Sequence, residues 1–167
     1  MIYRLRMIFE ALKSASPLDL GFSPDSKLGS IKLVIDHLSS EDCFEILNLN
    51  WNVAEPLEWF RKNGYQILNE PLPPFIGWKG SIYKSILEFW EREDTTDFED
   101  DCTYQYRTRH HMCFGFRGVQ IPAIYLGTGP NGWEVSGVRD GTPYVYQVDL
   151  PMFLESLNTL PYNLKVK

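Results

Sequence analysis

Apolar and polar positions follow two periods along this chain, helical in the first half and alternating in the second. Residues 41–49 follow Ser39 and Ser40, either of which can N-cap a helix, with Glu41 and Asp42 where the helix dipole favours acids. Pro56 suits the first turn of a second helix, in which Leu57 and Phe60 share a face and Arg61, Lys62 and Gly64 mark the end. The strongest predicted helix spans about 79–92. There Ile82, Ile86, Phe89 and Trp90 recur at helical spacing, Tyr83 and Leu87 widen the stripe, and the stripe reads as core. Residues 2–9 and 31–35 are each compatible with a strand, and the serine-flanked turn signals between them read as a loop.

From about residue 103 the period becomes two. Segments 111–116, 120–126, 133–138 and 143–148 are short, rich in β-branched or aromatic residues, and separated by turn chemistry. PNG at 130–132 and RDG at 139–141 are hairpin turns, because glycine supplies the positive φ they require. LPMFLESLN at 150–158 returns to helical spacing. The order predicts an α+β fold: a mainly helical N-terminal half packed on a C-terminal antiparallel β-meander closed by a helix. The proline-rich stretch NEPLPPFIGW at 69–78 is a connector within one domain covering 1–167.

Composition narrows the class. The chain has 167 residues, of which 44% are hydrophobic and 14% aromatic, enough to bury a core without staples. No apolar run approaches the ~20 residues of a membrane span. Arg4, Arg6 and Glu10 break the N-terminal apolar stretch, so it does not read as a signal peptide. Cys43, Cys102 and Cys113 are an odd set at irregular spacing, which points to a reducing compartment and a cytoplasmic protein. The net charge of −6 disfavours direct binding to nucleic acid and suits a basic partner.

Residues 107–118, RTRHHMCFGFRG, follow an acid-heavy stretch, EREDTTDFEDD, at 91–101. His110 and His111 with Cys102 and Cys113 are zinc-ligand types, but CxxC and HExxH are missing. Neighbours on a strand also face opposite ways, so no metal is expected, with one histidine packed and the other solvated. GTGPNG at 127–132 lacks the lysine of a phosphate loop and reads as a turn, so no cofactor is expected. No catalytic residue is assigned. A small hydrolase or nuclease using His110 or His111 with a carboxylate stays open, as does a structural subunit of a larger assembly.

The acidic run carries the more specific expectation. Its seven acids face only Arg92 and begin at the end of the strongest predicted helix, where carboxylates oppose the dipole. Local stability does not select that pattern, which leaves a solvated loop or, more sharply, a patch that speeds docking of a basic partner. The expected contact surface is Glu93, Asp94, Asp97, Phe98, Glu99, Asp100 and Asp101, with Tyr104 and Tyr106 as further aromatic anchors. Arg107 and Arg109 are expected to answer the acids within the molecule.

The tail GTPYVYQVDLPMFLESLNTL at 141–160, after the turn GTGPNGWEV, resembles the end of SUKH-superfamily immunity proteins. In these a glycine-rich hairpin, a P-x-V-Y strand and an F-L-x-x-L helix close an α+β domain. Pro143, Val145 and Tyr146 match the strand, and Phe153, Leu154 and Leu157 the helix. The family's helix running into an Asn-Gly-Gly turn ahead of the sheet is echoed by FRKNGY at 60–65, where a tyrosine stands in place of the second glycine. More broadly, the chain is similar to immunity proteins of polymorphic-toxin and contact-dependent growth-inhibition systems. The resemblance implies a cytoplasmic protein that neutralises one cognate secreted toxin domain, often a basic nuclease, by stoichiometric occlusion of its active site without turnover.

Overall fold

The computed structural model describes residues 3–11, 27–38 and 43–159. It is an α+β structure, but its N-terminal part is a sheet. Strands β1 (Arg4–Ala11), β2 (Leu28–Asp36) and β3 (Cys43–Asn52) pair antiparallel in the order β1-β2-β3. Ile31, Leu33 and Ile35 of β2 are buried at alternate positions, as a half-buried strand requires. The expected mainly helical N-terminal half is therefore corrected, and with it the helix at 41–49. Leu47, Leu49 and Trp51 alternate with Asn48, Asn50 and Asn52, a period of two that outweighs the acids ahead of it. Ser39, Ser40, Glu41 and Asp42 lie outside the described residues, as does most of the loop expected after β1.

Helix α1 (Ala54–Asn69) has Pro56 in its first turn, as expected, but runs straight through Gly64. It ends where the proline connector begins. Helix α2 (Ile82–Trp90) is N-capped by Ser81, whose hydroxyl accepts from the Lys84 N–H at 3.2 Å. Its first N–H groups dock on the second sheet: Ile82 donates to the Glu134 carboxylate at 2.8 Å and Tyr83 to the Ser136 hydroxyl at 3.1 Å. Ile82, Ile86 and Phe89 are core, whereas Trp90, expected beside them, is 41% exposed.

Helix α3 (Asp97–His110) occupies residues where the alternating pattern was expected to begin. Its ends account for it. Thr96 and Glu99 form a reciprocal capping box, acids fill the first turn, and Arg107, Arg109 and His110 fill the last. A 3-10 turn follows at Met112–Gly115 where a strand was expected.

Strands β4 (Ile124–Gly129), β5 (Gly132–Arg139) and β6 (Thr142–Gln147) form the expected antiparallel meander, and helix α4 (Leu150–Asn158) follows. In the second hairpin Asp140 (φ 49) and Gly141 (φ 77) both take left-handed backbone, the geometry of the primed turn that RDG encodes. The two sheets meet at one corner. Tyr3 forms a parallel bridge to Val148, and its N–H donates to the Gln147 carbonyl at 2.7 Å. Arg139 donates to the Glu45 carbonyl and lies over the Phe44 ring.

One large core combines the inner faces of β1–β3 with α1, β4, β5 and α4. A smaller one joins Ile76, Ile82, Ile86, Phe89, Tyr106 and Tyr125 under α2 and α3. The outer edge of β4 meets isolated bridges from both sides, His111 to Tyr125 and Pro71 to Thr128. The connector and the end of α3 are thereby fixed against the same strand.

Candidate binding face

Helix α3 is polar nearly all round. It buries only Thr103, Tyr106 and His110 of its 14 residues. A helix of this kind is held by specific contacts rather than by an apolar stripe. Tyr106 and His110, one turn apart, stack with centroids 3.9 Å apart and planes within 9°. His110 is 0% exposed, with Nδ1 2.8 Å from the Leu126 carbonyl oxygen and Nε2 3.1 Å from Glu70 Oε2. The Trp59 indole N–H reaches across from α1 to the Thr108 carbonyl at 3.0 Å.

Glu70, at the start of the connector, is the hub. Arg109 donates to it through Nε at 2.7 Å and Nη2 at 2.6 Å, a bidentate fork. Burial alone pushes the Glu70 carboxyl up, but the hydrogen bonds and charges of His110 and Arg109 outweigh it and hold it at about 2. The two arginines expected to answer the acidic run do otherwise. Arg109 serves Glu70, while Arg107 donates to the Tyr125 hydroxyl at 3.1 Å and lies over the Trp90 ring. Neither arginine pairs with the acids at 91–101, among which Asp94 pairs with Arg92 at 2.9 Å.

The run itself divides in two. Glu91 and Glu93 follow the end of α2, where carboxylates oppose the dipole as expected. Asp97, Glu99 and Asp100 instead occupy the first turn of α3, where the same charges stabilise the helix, which corrects the view that local stability does not select them. Glu99 and Asp100 are half-buried, and Glu99 receives the Thr96 N–H at 2.9 Å. Glu93, Asp94, Asp97 and Asp101 are exposed, and Phe98 among them is 71% exposed. Of the other expected anchors, Tyr104 is exposed and packs edge-on against Phe114, whereas Tyr106 is buried.

Beside this face lies a groove of about 560 Å³ that the sequence reading missed. Pro71, Leu72, Pro73, Pro74 and Phe75 form one wall; Phe98, Cys102 and Gln105 of α3 form the other, with Asp101 on the rim and the Glu70–Arg109 pair at the end. The available signal was the spacing of 98, 102, 105 and 109, which repeats at 3.6 and places these residues on one side of a helix. Reading the region as alternating hid it.

The histidines depart from expectation, since both are buried rather than one being solvated. His110 has no exposed surface, and its two ring nitrogens face the Leu126 carbonyl and the Glu70 carboxylate, so it offers neither to a substrate. His111 stacks on Tyr125 at 4.4 Å, and its Nδ1 lies 3.0 Å from Cys113 Sγ, while Nε2 is buried without a hydrogen-bond partner. Burial, then the Arg107 charge, lowers His111 to about 4, and burial pushes the Cys113 thiol up despite Arg107, so the pair is neutral imidazole and thiol. That is the opposite of an activated thiolate. Among the described residues no group of three or more His, Cys, Asp or Glu is placed to hold a metal ion. No described helix is long and apolar enough to cross a membrane.

Comparison with known proteins returned no match to any family model, curated protein or solved structure.

Proposed function

We propose that this chain is a cytoplasmic immunity protein that binds a cognate basic toxin domain, of nuclease type, and occludes its active site stoichiometrically. The observation that carries the reading is the exposure of α3. A 14-residue helix that buries three side chains contributes little to the core, and its solvent face combines Asp97 and Asp101 with the exposed ring of Phe98. Surface acids around an aromatic anchor are the arrangement that speeds encounter with a basic protein and then retains it. Glu93 and Asp94 extend the face, while Glu99 and Asp100 fix the start of the helix that presents it. The resemblance of the chain's tail to SUKH-superfamily immunity proteins points the same way.

The test is a pull-down with tagged protein from cells carrying the neighbouring gene, followed by binding kinetics at two ionic strengths. Replacing Glu93, Asp94, Asp97 and Asp101 by their amides slows association by about tenfold at low salt, and the difference shrinks as salt rises. Unchanged association would sink the acidic face as the docking surface.

A further inference from the structure

We infer that the groove between α3 and the proline connector receives one large apolar side chain of the partner, from a segment that carries lysine or arginine on either side of it. The inference rests on the proposed binding role of α3 and names the chemistry of what α3 binds.

The groove walls are apolar and set in place. Three prolines at 71, 73 and 74 have fixed φ, Pro71 is bridged to Thr128 of β4, and the Ile76 N–H closes a turn onto the Pro73 carbonyl at 2.9 Å. Phe75 is anchored from behind by the Phe89 ring, 5.8 Å away. A wall that does not reorganise spares the ordering cost that weakens most surface contacts. Across from it, Phe98 stands in solvent with no partner of its own among the ring contacts of the described residues.

Charge decides the occupant. The rim bears Asp101, with Asp97 one turn before it on the same helix, and the cation that lines the groove, Arg109, is held in the fork of Glu70. An apolar segment flanked by acids meets repulsion on this rim, and one flanked by lysine or arginine meets attraction. A groove of about 560 Å³ accepts a tryptophan, phenylalanine or leucine side chain together with part of its backbone.

The probe is a phage-displayed library of random twelve-residue peptides selected against the full chain. The expected consensus has one large apolar residue within two positions of lysine or arginine. A synthetic peptide of that sequence should shield Cys102, which lines the groove, from a maleimide read by peptide mass spectrometry, and leave Cys43 reactive. Phe98→Ser, an exposed site whose change leaves folding intact, should weaken the peptide about tenfold or more. Asp97→Asn with Asp101→Asn should weaken it several-fold at low salt only.

A consensus of cations without an apolar residue, indifferent to Phe98→Ser, overturns the groove and leaves the acidic face standing. An apolar consensus indifferent to the two amides overturns the charge-selected occupant and the acidic face together. Wild-type protein that sediments as a dimer, and Phe98→Ser protein that sediments as a monomer, assigns the groove to a second copy and overturns the partner. No enrichment over the Phe98→Ser protein overturns the inference outright.

Discussion

The Glu70 carboxylate takes both the Nε–H and the Nη2–H of Arg109 and stands 3.1 Å from Nε2 of His110. One side chain at the head of the connector thus fixes the last turn of α3. Glu70→Gln removes the charge and turns one of the two acceptor oxygens facing Arg109 and His110 into an N–H donor, and should cost about 2–3 kcal/mol in urea denaturation at pH 7. The acid profile gives the sign. The folded carboxyl sits at about 2 against an ordinary 4.5, so its contribution is whole above pH 4.5 and is lost as pH falls toward 2. The variant should lose that slope. An unchanged acid limb would place the sensitivity elsewhere.

His111 governs a higher window. Its folded value is about 4 against an ordinary 6.5, because burial and Arg107 disfavour the charged ring. Below pH 6.5 the unfolded chain takes a proton that the folded chain resists until about pH 4, so stability falls across that window. Urea midpoints from pH 7 to pH 4 should decline in the wild type and flatten in His111→Gln. A parallel decline in both proteins would exonerate His111.

Phe89 and Trp90, neighbours on α2, should respond differently to alanine. Phe89 is 2% exposed in the smaller core, and its loss should cost about 3–4 kcal/mol. Trp90 is partly in water with Arg107 over its ring, and its loss should cost only about 1 kcal/mol. Equal melting temperatures for the two variants would contradict the placement of α2.

Thr96→Ala removes the hydroxyl that caps α3 and should destabilise by about 1 kcal/mol. Glu93→Gln, three residues away, breaks no hydrogen bond or ion pair of the described residues and should leave the melting temperature within about a degree. The pair separates acids that serve the fold from acids that face outward. A loss with Glu93→Gln matching that of Thr96→Ala would erase the distinction.

The elements that sequence reading placed well are those whose signal is local. RDG encodes its primed turn through two residues, and the spacing of Phe153 and Leu157 suffices to place α4. The failures share a cause. Helix α3 has no apolar stripe, so its evidence lies at its ends, in Thr96 with Glu99 and in the arginines of the last turn, and periodicity alone does not register ends. Strand β3 was obscured by Glu41 and Asp42, which imitate a helix start, although the Leu–Asn alternation behind them is a clear strand pattern. The groove could not be read at all without α3. Its other wall is 25 residues or so earlier in the chain, and only the shared docking on β4 brings the two together.

That shared docking also governs aggregation. A strand whose outer N–H and C=O groups lie open is a template for another chain, and β4, with Ile124, Tyr125 and Leu126 in sequence, is an apolar strand of that kind. Pro71 and His111 close it from either side, one of them a residue with no N–H to offer a newcomer. The segments that shape the groove are therefore also the guard on the second sheet. Changes that loosen the connector or the end of α3 to alter binding will be selected against first through solubility, before any partner is encountered.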